Sequence, residues 1–274
     1  MWGSSYIFMK TATNELNTVE IVSLRFIIAS IILSILFFKS ILKINLKTFI
    51  YGFLLGLLLF IIFILATKGV EYISPSQAAF LVSLTTIFVP LQLLLVKRQR
   101  LTRKKILAIL LSLTGVSLLT LKSGFHSFNI GHLFCLISGF LYATHIIFTD
   151  YLSKKHNAFH LGILQVIFAG VCGAVASIAL DGAIVLPNSR TTWVSILFLA
   201  IVCSALGFVL QPIAQKYTHA IDMGLIFSLE PVFTSIFSVI MLRELLSSQE
   251  IIGGVLILLG TFSVLNVKNT SEYL

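Results

Sequence analysis

"SLEPVFTSIFSVIMLRELLSSQEIIGGVLILLG" (residues 228–260) lies over "SLTTIFVPLQLLLVKRQRLTRKKILAILLSLTG" (residues 83–115) at a constant shift of 145. Ser83/Ser228, Leu84/Leu229, Phe88/Phe233, Arg98/Arg243, Leu101/Leu246, Ile106/Ile251 and Gly115/Gly260 coincide. Leucine and isoleucine matches are cheap between apolar segments; the arginine and the glycine are less so. A shift of 140 lays "WGSSYIFMKTATNELNTVEIVSLRFIIA" (from Trp2) over "YATHIIFTDYLSKKHNAFHLGILQVIFA" (from Tyr142), matching Ile7/Ile147, Phe8/Phe148, Asn17/Asn157 and Leu24/Leu164. The sequence therefore reads as one unit written twice, and a duplication constrains the fold more than any single motif does.

Composition says where such a unit lives. Of 274 residues, 58% are apolar and 11% charged, with mean hydropathy +1.04, whereas a soluble domain carries about 25% charged residues. Apolar segments fall at roughly 1–12, 19–38, 48–67, 75–96, 106–121, 129–149, 160–180, 192–212, 220–242 and 250–267. All but the first approach the ~20 helical residues that cross ~30 Å of hydrocarbon. The runs are continuous, without the alternation of a membrane barrel. The reading is an all-α polytopic membrane protein with ten transmembrane helices, in two repeats at 1–122 and 129–268. Cys135, Cys172 and Cys203 sit far apart inside apolar runs, with no metal-binding spacing, so no metal or cofactor is expected.

The net charge of +9 is explained by orientation rather than by nucleic acid. With the N-terminus inside and alternating helices, thirteen basic residues fall in inner loops: Lys39, Lys43, Lys47, Lys97, Arg98, Arg100, Arg103, Lys104, Lys105, Lys154, Lys155, Lys216 and Lys268. Five fall outside (Lys10, Lys68, Lys122, Arg190, Arg243), and Arg25 is left within the second helix. Basic loops stay on the cytoplasmic side, so a multi-pass protein of the cell (inner or plasma) membrane with both termini cytoplasmic is expected. Five helices per copy is odd, so the second copy enters the membrane inverted. Inverted repeats recur in secondary transporters, with the substrate site near the midplane between halves that can exchange conformations.

The segments "WGSSYIFMK" (2–10), "SLRFIIA" (23–29), "AAFLVSLTTIFVPLQLLL" (78–95) and the 228–260 stretch resemble the EamA-type domain of the drug/metabolite transporter (DMT) superfamily. Two such domains would cover nearly the whole chain. The resemblance implies ten helices around a central cavity and efflux of amino acids, related metabolites or drugs across the bacterial inner membrane. Thr85-Thr86 and Gln99 stand in the first copy where the second has Glu230-Pro231 and Glu244.

Ionisable residues inside a span are functional hypotheses, because burying one there is costly unless it is paired or wet. Glu230 falls near the middle of the ninth helix, where it would bind a cationic or amine group or take up a proton and so couple transport to a proton gradient. The alternative is a structural carboxylate capping a neighbouring helix. Arg25 lies near the outer end of the second helix, placed either for headgroups or for a substrate carboxylate; its repeat mate is Gln165. Further cavity candidates are Trp2 and its mate Tyr142, Ser4, Ser5, Gln77, Thr85, Thr86, Thr144, His145 and Gln211. Against each stands a packing or back-bonding role. Pro90, Pro212 and Pro231 mark expected kinks, and Gly52/Gly56 and Gly170/Gly173 mark close helix packing.

A membrane-embedded enzyme is disfavoured, since the sequence holds no GxSxG elbow and no HExxH pair, and it has no GxxxxGK[ST] loop for ATP. A passive channel or lipid flippase on the same fold is the alternative to a small-molecule transporter, and the residues set no oligomeric state. The opening "MWGSSYIFMKTATNEL" spans only ~18 Å of the core. Its mate is preceded by "NIGHLFCLISGFL" (129–141), so an incomplete first helix is expected, with apolar residues encoded upstream.

Overall fold

A computed structural model describes residues 1–97, 102–120, 129–242 and 247–265; Lys122, Arg243, Glu244 and Lys268, and the central part of the "KRQRLTRKK" block, lie outside the described residues. The described residues form helices and no strand. In chain order they are α1 (Trp2–Ala12), α2 (Thr18–Leu36), α3 (Phe38–Ile41), α4 (Leu46–Tyr72), α5 (Pro75–Ser83), α6 (Thr85–Lys97), α7 (Arg103–Thr120), α8 (Ile130–Ser153), α9 (Ala158–Asp181) and α10 (Arg190–Phe198). A π-helical stretch (Leu199–Leu206) then leads into α11 (Gly207–Gln215), α12 (Ala220–Phe227), α13 (Glu230–Leu242) and α14 (Ser248–Leu265). Among the described residues, seven helical stretches are long and apolar enough to cross a membrane, two of them broken partway along. The chain is thus a multi-pass membrane protein.

Local sequence explains where helices start. Asn17 and Glu20 form a capping box on α2, and Ser74 and Gln77 do the same on α5, with Pro75 at its first position. Such boxes satisfy end donors that lipid cannot. Outside the spans, the Glu15 carboxylate accepts the backbone N–H groups of Asn188 and Ser189 ahead of α10. Hydrogen bonds with Thr192 and Ser189 and from the Asn188 N–H hold its pKa down to about 2.

The segment expected as one continuous ninth helix is interrupted. α12 ends at Phe227 and α13 begins at Glu230. The Ser228 hydroxyl donates to Leu225 O at 2.6 Å, and Pro231 lacks the N–H that would have bonded the Phe227 carbonyl. The same break separates α5 from α6. There Ser83 donates to Phe80 O at 2.7 Å, and the Thr85 hydroxyl bonds Val82 O. Hydroxyls that back-bond in this way compete with the helix ladder. Pro90 stays within α6 and Pro212 within α11.

Close packing falls on the glycines. Gly52 and Gly56 seat α9 through Leu164 and Phe168, and Gly170 and Gly173 lie against Phe26, Ser30 and Ser23 of α2. α7 and α14 meet as closely. A Cβ on Gly115 would stand 2.5 Å from Gly253 O and 2.9 Å from Ile257 N; one on Gly260 would stand 2.8 Å from Ala108 O and 2.7 Å from Ser112 Oγ. As one helix ascends in number the other descends, so the pair is antiparallel. Gly260→Val is expected to lower the melting temperature in detergent, as overpacking costs about 1–3 kcal/mol. An unchanged thermal transition would show that the two backbones can move apart freely.

Candidate functional site

A small cavity lies between α1, α4, α5, α8 and α13, lined by Trp2, Ser5, Tyr6 and Met9 from one face of α1 and by Phe63, Tyr142 and Glu230, among others, from its neighbours. Trp2, Ser5, Tyr6 and Met9 share that face because they follow i, i+3, i+4, i+7 spacing. The space open to the centre of a water molecule is about 20 Å³, enough for a water or two and too little for a metabolite. The cavity is therefore closed, and side chains must part to admit a solute.

Glu230 is 8% exposed and stands at the first turn of α13, so the helix break delivers its carboxylate to the cavity wall. Among the described residues its hydrogen-bond partner is the Tyr6 hydroxyl, at 3.5 Å. α1 comes close enough for this because Gly3 lies against Glu230 O and the Thr234 hydroxyl donates to Gly3 O at 2.7 Å.

One turn along α1 from Tyr6, Met9 meets the second ionisable group. Arg25 is fully buried, and its Nε donates to Ser204 Oγ at 3.0 Å. Nη1 approaches the Met9 sulfur at 3.7 Å. The guanidinium stands over the Phe63 ring at 4.2 Å and the Phe26 ring at 5.2 Å. Nη2 is buried without a partner among the described residues. A desolvated cation gains from aromatic faces, but an unmade hydrogen bond there costs about 1–3 kcal/mol. Arg25 is thus a buried cation facing the aromatic wall, with donor capacity to spare.

The π-helical stretch holds Arg25 and Trp2 from behind. Ser204, which holds Arg25, lies within it, and so does Cys203, whose carbonyl accepts Trp2 Nε1 at 3.0 Å. The Trp2 ring lies against Gly207 and is flanked by Phe208 and Phe227 at 5.3 and 5.0 Å. Runs of π-helix commonly mark functional segments.

Behind Tyr142 lies a second polar group. His145 Nε2 bonds Gln165 Oε1 at 2.9 Å, and Gln165 Nε2 donates to Phe208 O at 2.6 Å. That carbonyl is available because Pro212, four residues on, has no N–H to give it. Gln211 Nε2 donates to Gln215 Oε1 at 3.3 Å, and Gln215 Nε2 to Ile146 O at 3.0 Å.

The structure therefore brings Trp2, Ser5, Tyr142 and Glu230 onto the cavity, with Arg25 alongside through Met9 and Phe63. His145 and Gln165 pair with each other behind it, and Gln211 bonds Gln215. Other candidates lie elsewhere. Ser4 is buried and donates to Met1 O ahead of α1, Gln77 caps α5, and Thr85 back-bonds at the α5–α6 break. Thr86 donates to Gly224 O at 2.9 Å, and Thr144 to Gln92 Oε1 at 3.1 Å. Sequence reasoning missed Tyr6, Met9, Ser138 and Ser204. For Tyr6 and Met9 the helical spacing from Trp2 was the available signal; for Ser204 nothing local marks a π-helix.

Comparison with known proteins places this geometry. The pattern of the EamA-like transporter family matches residues 1–121 and 129–266. A protein of Archaeoglobus fulgidus described as an uncharacterized transporter is 27% identical over 264 residues, covering 96% of this chain and 82% of its own. A second from the same organism, described in the same words, is 25% identical over 289 residues, covering 96% and 92%. A solved crystal structure overlays with a TM-score of 0.74 at 15% identity, covering 96% of this chain and 94% of the other, a likeness of fold alone.

Proposed function

The chain belongs to the EamA-like transporter family, and from that premise we propose that it is a secondary transporter exporting amino acids, related metabolites or drugs by alternating access. The observation that carries this reading is Glu230, set at a helix break on the wall of a closed cavity with Arg25 one α1 turn away. Broken helices that present polar groups at mid-membrane are the usual architecture of solute sites in such proteins. A zwitterion fits the pair, its ammonium toward Glu230 and its carboxylate toward Arg25, with Trp2 and Tyr142 around the side chain.

Two inverted five-helix repeats, 1–122 and 129–268, make up the ten-helix reading. Its support is the antiparallel pairing of α7 with α14, where Gly115 meets Gly253 and Gly260 meets Ala108. Shifting 115 and 253 by 145 in opposite directions gives 260 and 108, so the two contacts are the same contact taken from each side. The breaks at Leu84 and at Ser228–Leu229, which share the repeat position Leu84/Leu229, support it as well. Under this reading both termini face the cytoplasm, in keeping with the basic loops.

The test is initial-rate flux of labelled amino acids, singly and as mixtures, in proteoliposomes of the purified protein. Flux that exceeds that of empty liposomes and saturates with concentration is the expected result. Flux of fluorescent phospholipid analogues with no amino-acid movement would replace the reading with a lipid flippase.

A further inference from the structure

We infer that the buried polar seam that runs along α8 and is tied to α11 at Gln215 is a closed solute passage, leading from the cavity to the end of the bundle that carries Lys154, Lys155 and Lys216. It would take water and the polar or zwitterionic solute in transit. On α8, Tyr142, His145, Thr149 and Ser153 follow one another at i, i+3, i+7 and i+11, a single helical face, and all four are buried. On α11, Gln211 and Gln215 lie one turn apart and are equally buried. The Gln215 bond to Ile146 O ties the two helices together along this line.

Three buried polar atoms in the seam have no hydrogen-bond partner among the described residues: His145 Nδ1, Thr149 Oγ1 and Gln211 Oε1. Buried polar groups are normally paired, and a cluster of exceptions calls for an explanation. A purely structural seam would have been filled with apolar side chains, which lose nothing by burial. Groups that are dry in the closed form and wet in another form are explained if α8 and α11 part during the cycle. Tyr142 stands at the junction. It lines the cavity on one side, and its ring lies 5.9 Å from that of His145 on the other. Its displacement would join cavity and seam.

The inference rests on alternating access, and its test is separable from the flux assay. Thr149→Cys, Gln211→Cys and the control Ala143→Cys are made singly in a chain carrying Cys135→Ala, Cys172→Ala and Cys203→Ala. A membrane-impermeant trimethylammonium methanethiosulfonate is then added to oriented vesicles from either side. Thr149→Cys and Gln211→Cys are expected to react from the Lys154 side at least an order of magnitude faster than Ala143→Cys, which is buried on another face of the same helix. Reaction no faster than the control, or only from the opposite side, overturns the passage. Thr149→Val, nearly the same shape, should slow flux several-fold while leaving the melting temperature unchanged or higher, because it removes an unpaired hydroxyl from the closed form. Wild-type flux in this variant overturns the passage too. Side-specific labelling in a protein that moves no amino acid would uphold the passage and discard the proposed substrate.

Discussion

Glu230→Gln is expected to reduce the initial rate of amine-bearing solutes in proteoliposomes by about 10- to 100-fold, the 1.5–3 kcal/mol carried by hydrogen bonds to a charged group. The substitution preserves shape and keeps an acceptor for the Tyr6 hydroxyl, so the helix break and the α1–α13 contact through Gly3 and Thr234 should survive. What it removes is the negative charge. In a closed cavity with little water, an ammonium has nothing else of opposite sign among the lining side chains. The check is parallel flux of an amine-bearing and an amine-free solute. The loss should fall on the first, with an unaltered melting temperature. Equal rates for wild type and variant would leave Glu230 a structural carboxylate.

Arg25→Met is expected to reduce flux of carboxylate-bearing solutes by a similar factor of about 10- to 100-fold, yet without destabilising the protein. Arg25 occupies a fully buried position with a hydroxyl, a sulfur and two aromatic rings around it, and no carboxylate within ion-pair distance among the described residues. A buried charge held this way stabilises a fold little, and replacing it by an apolar side chain of similar length is often neutral or favourable. Arg25→Lys should not restore flux, because an ammonium cannot reproduce the planar fork that grips a carboxylate while lying on a ring. The melting temperature and the flux are read on the same preparation. A fall in the first with no change in the second would reduce Arg25 to a structural part of the α2 interface.

Much of this architecture was legible in the residues. Apolar length fixed the class, and Gly52, Gly56, Gly170 and Gly173 announced close packing, which the contacts of α9 with α4 and α2 display. Glu230 stood out because a carboxylate inside a span is rare, and Trp2 and Tyr142 because they are repeat mates. The helix break before Glu230 was not, since a serine followed by Leu-Glu-Pro is compatible with a kinked continuous helix. The interruption shows in the backbone, where the Ser228 and Leu229 N–H groups bond Leu225 O and Ile226 O, three residues back instead of four. The π-helical stretch "LAIVCSAL" has neither glycine nor proline within it to announce its widened turns, which bond Trp2 and Arg25. Gln165 was singled out as the mate of Arg25, but its pairing with His145 needs the faces of α8 and α9 to be known. Its bond to Phe208 O could have been sought from Pro212 alone.

Among the described residues, the side chains lining the cavity come from α1, α4, α5, α8 and α13, and none from α7 or α14. The close backbone approach at Gly115 and Gly260 is thus carried by helices that do not line the cavity. Inheritance can therefore act on the two independently. The lining can drift from one chemistry to another while the α7–α14 seam stays under constant selection. A change in what the cavity accepts then need not disturb the packing that holds the bundle together.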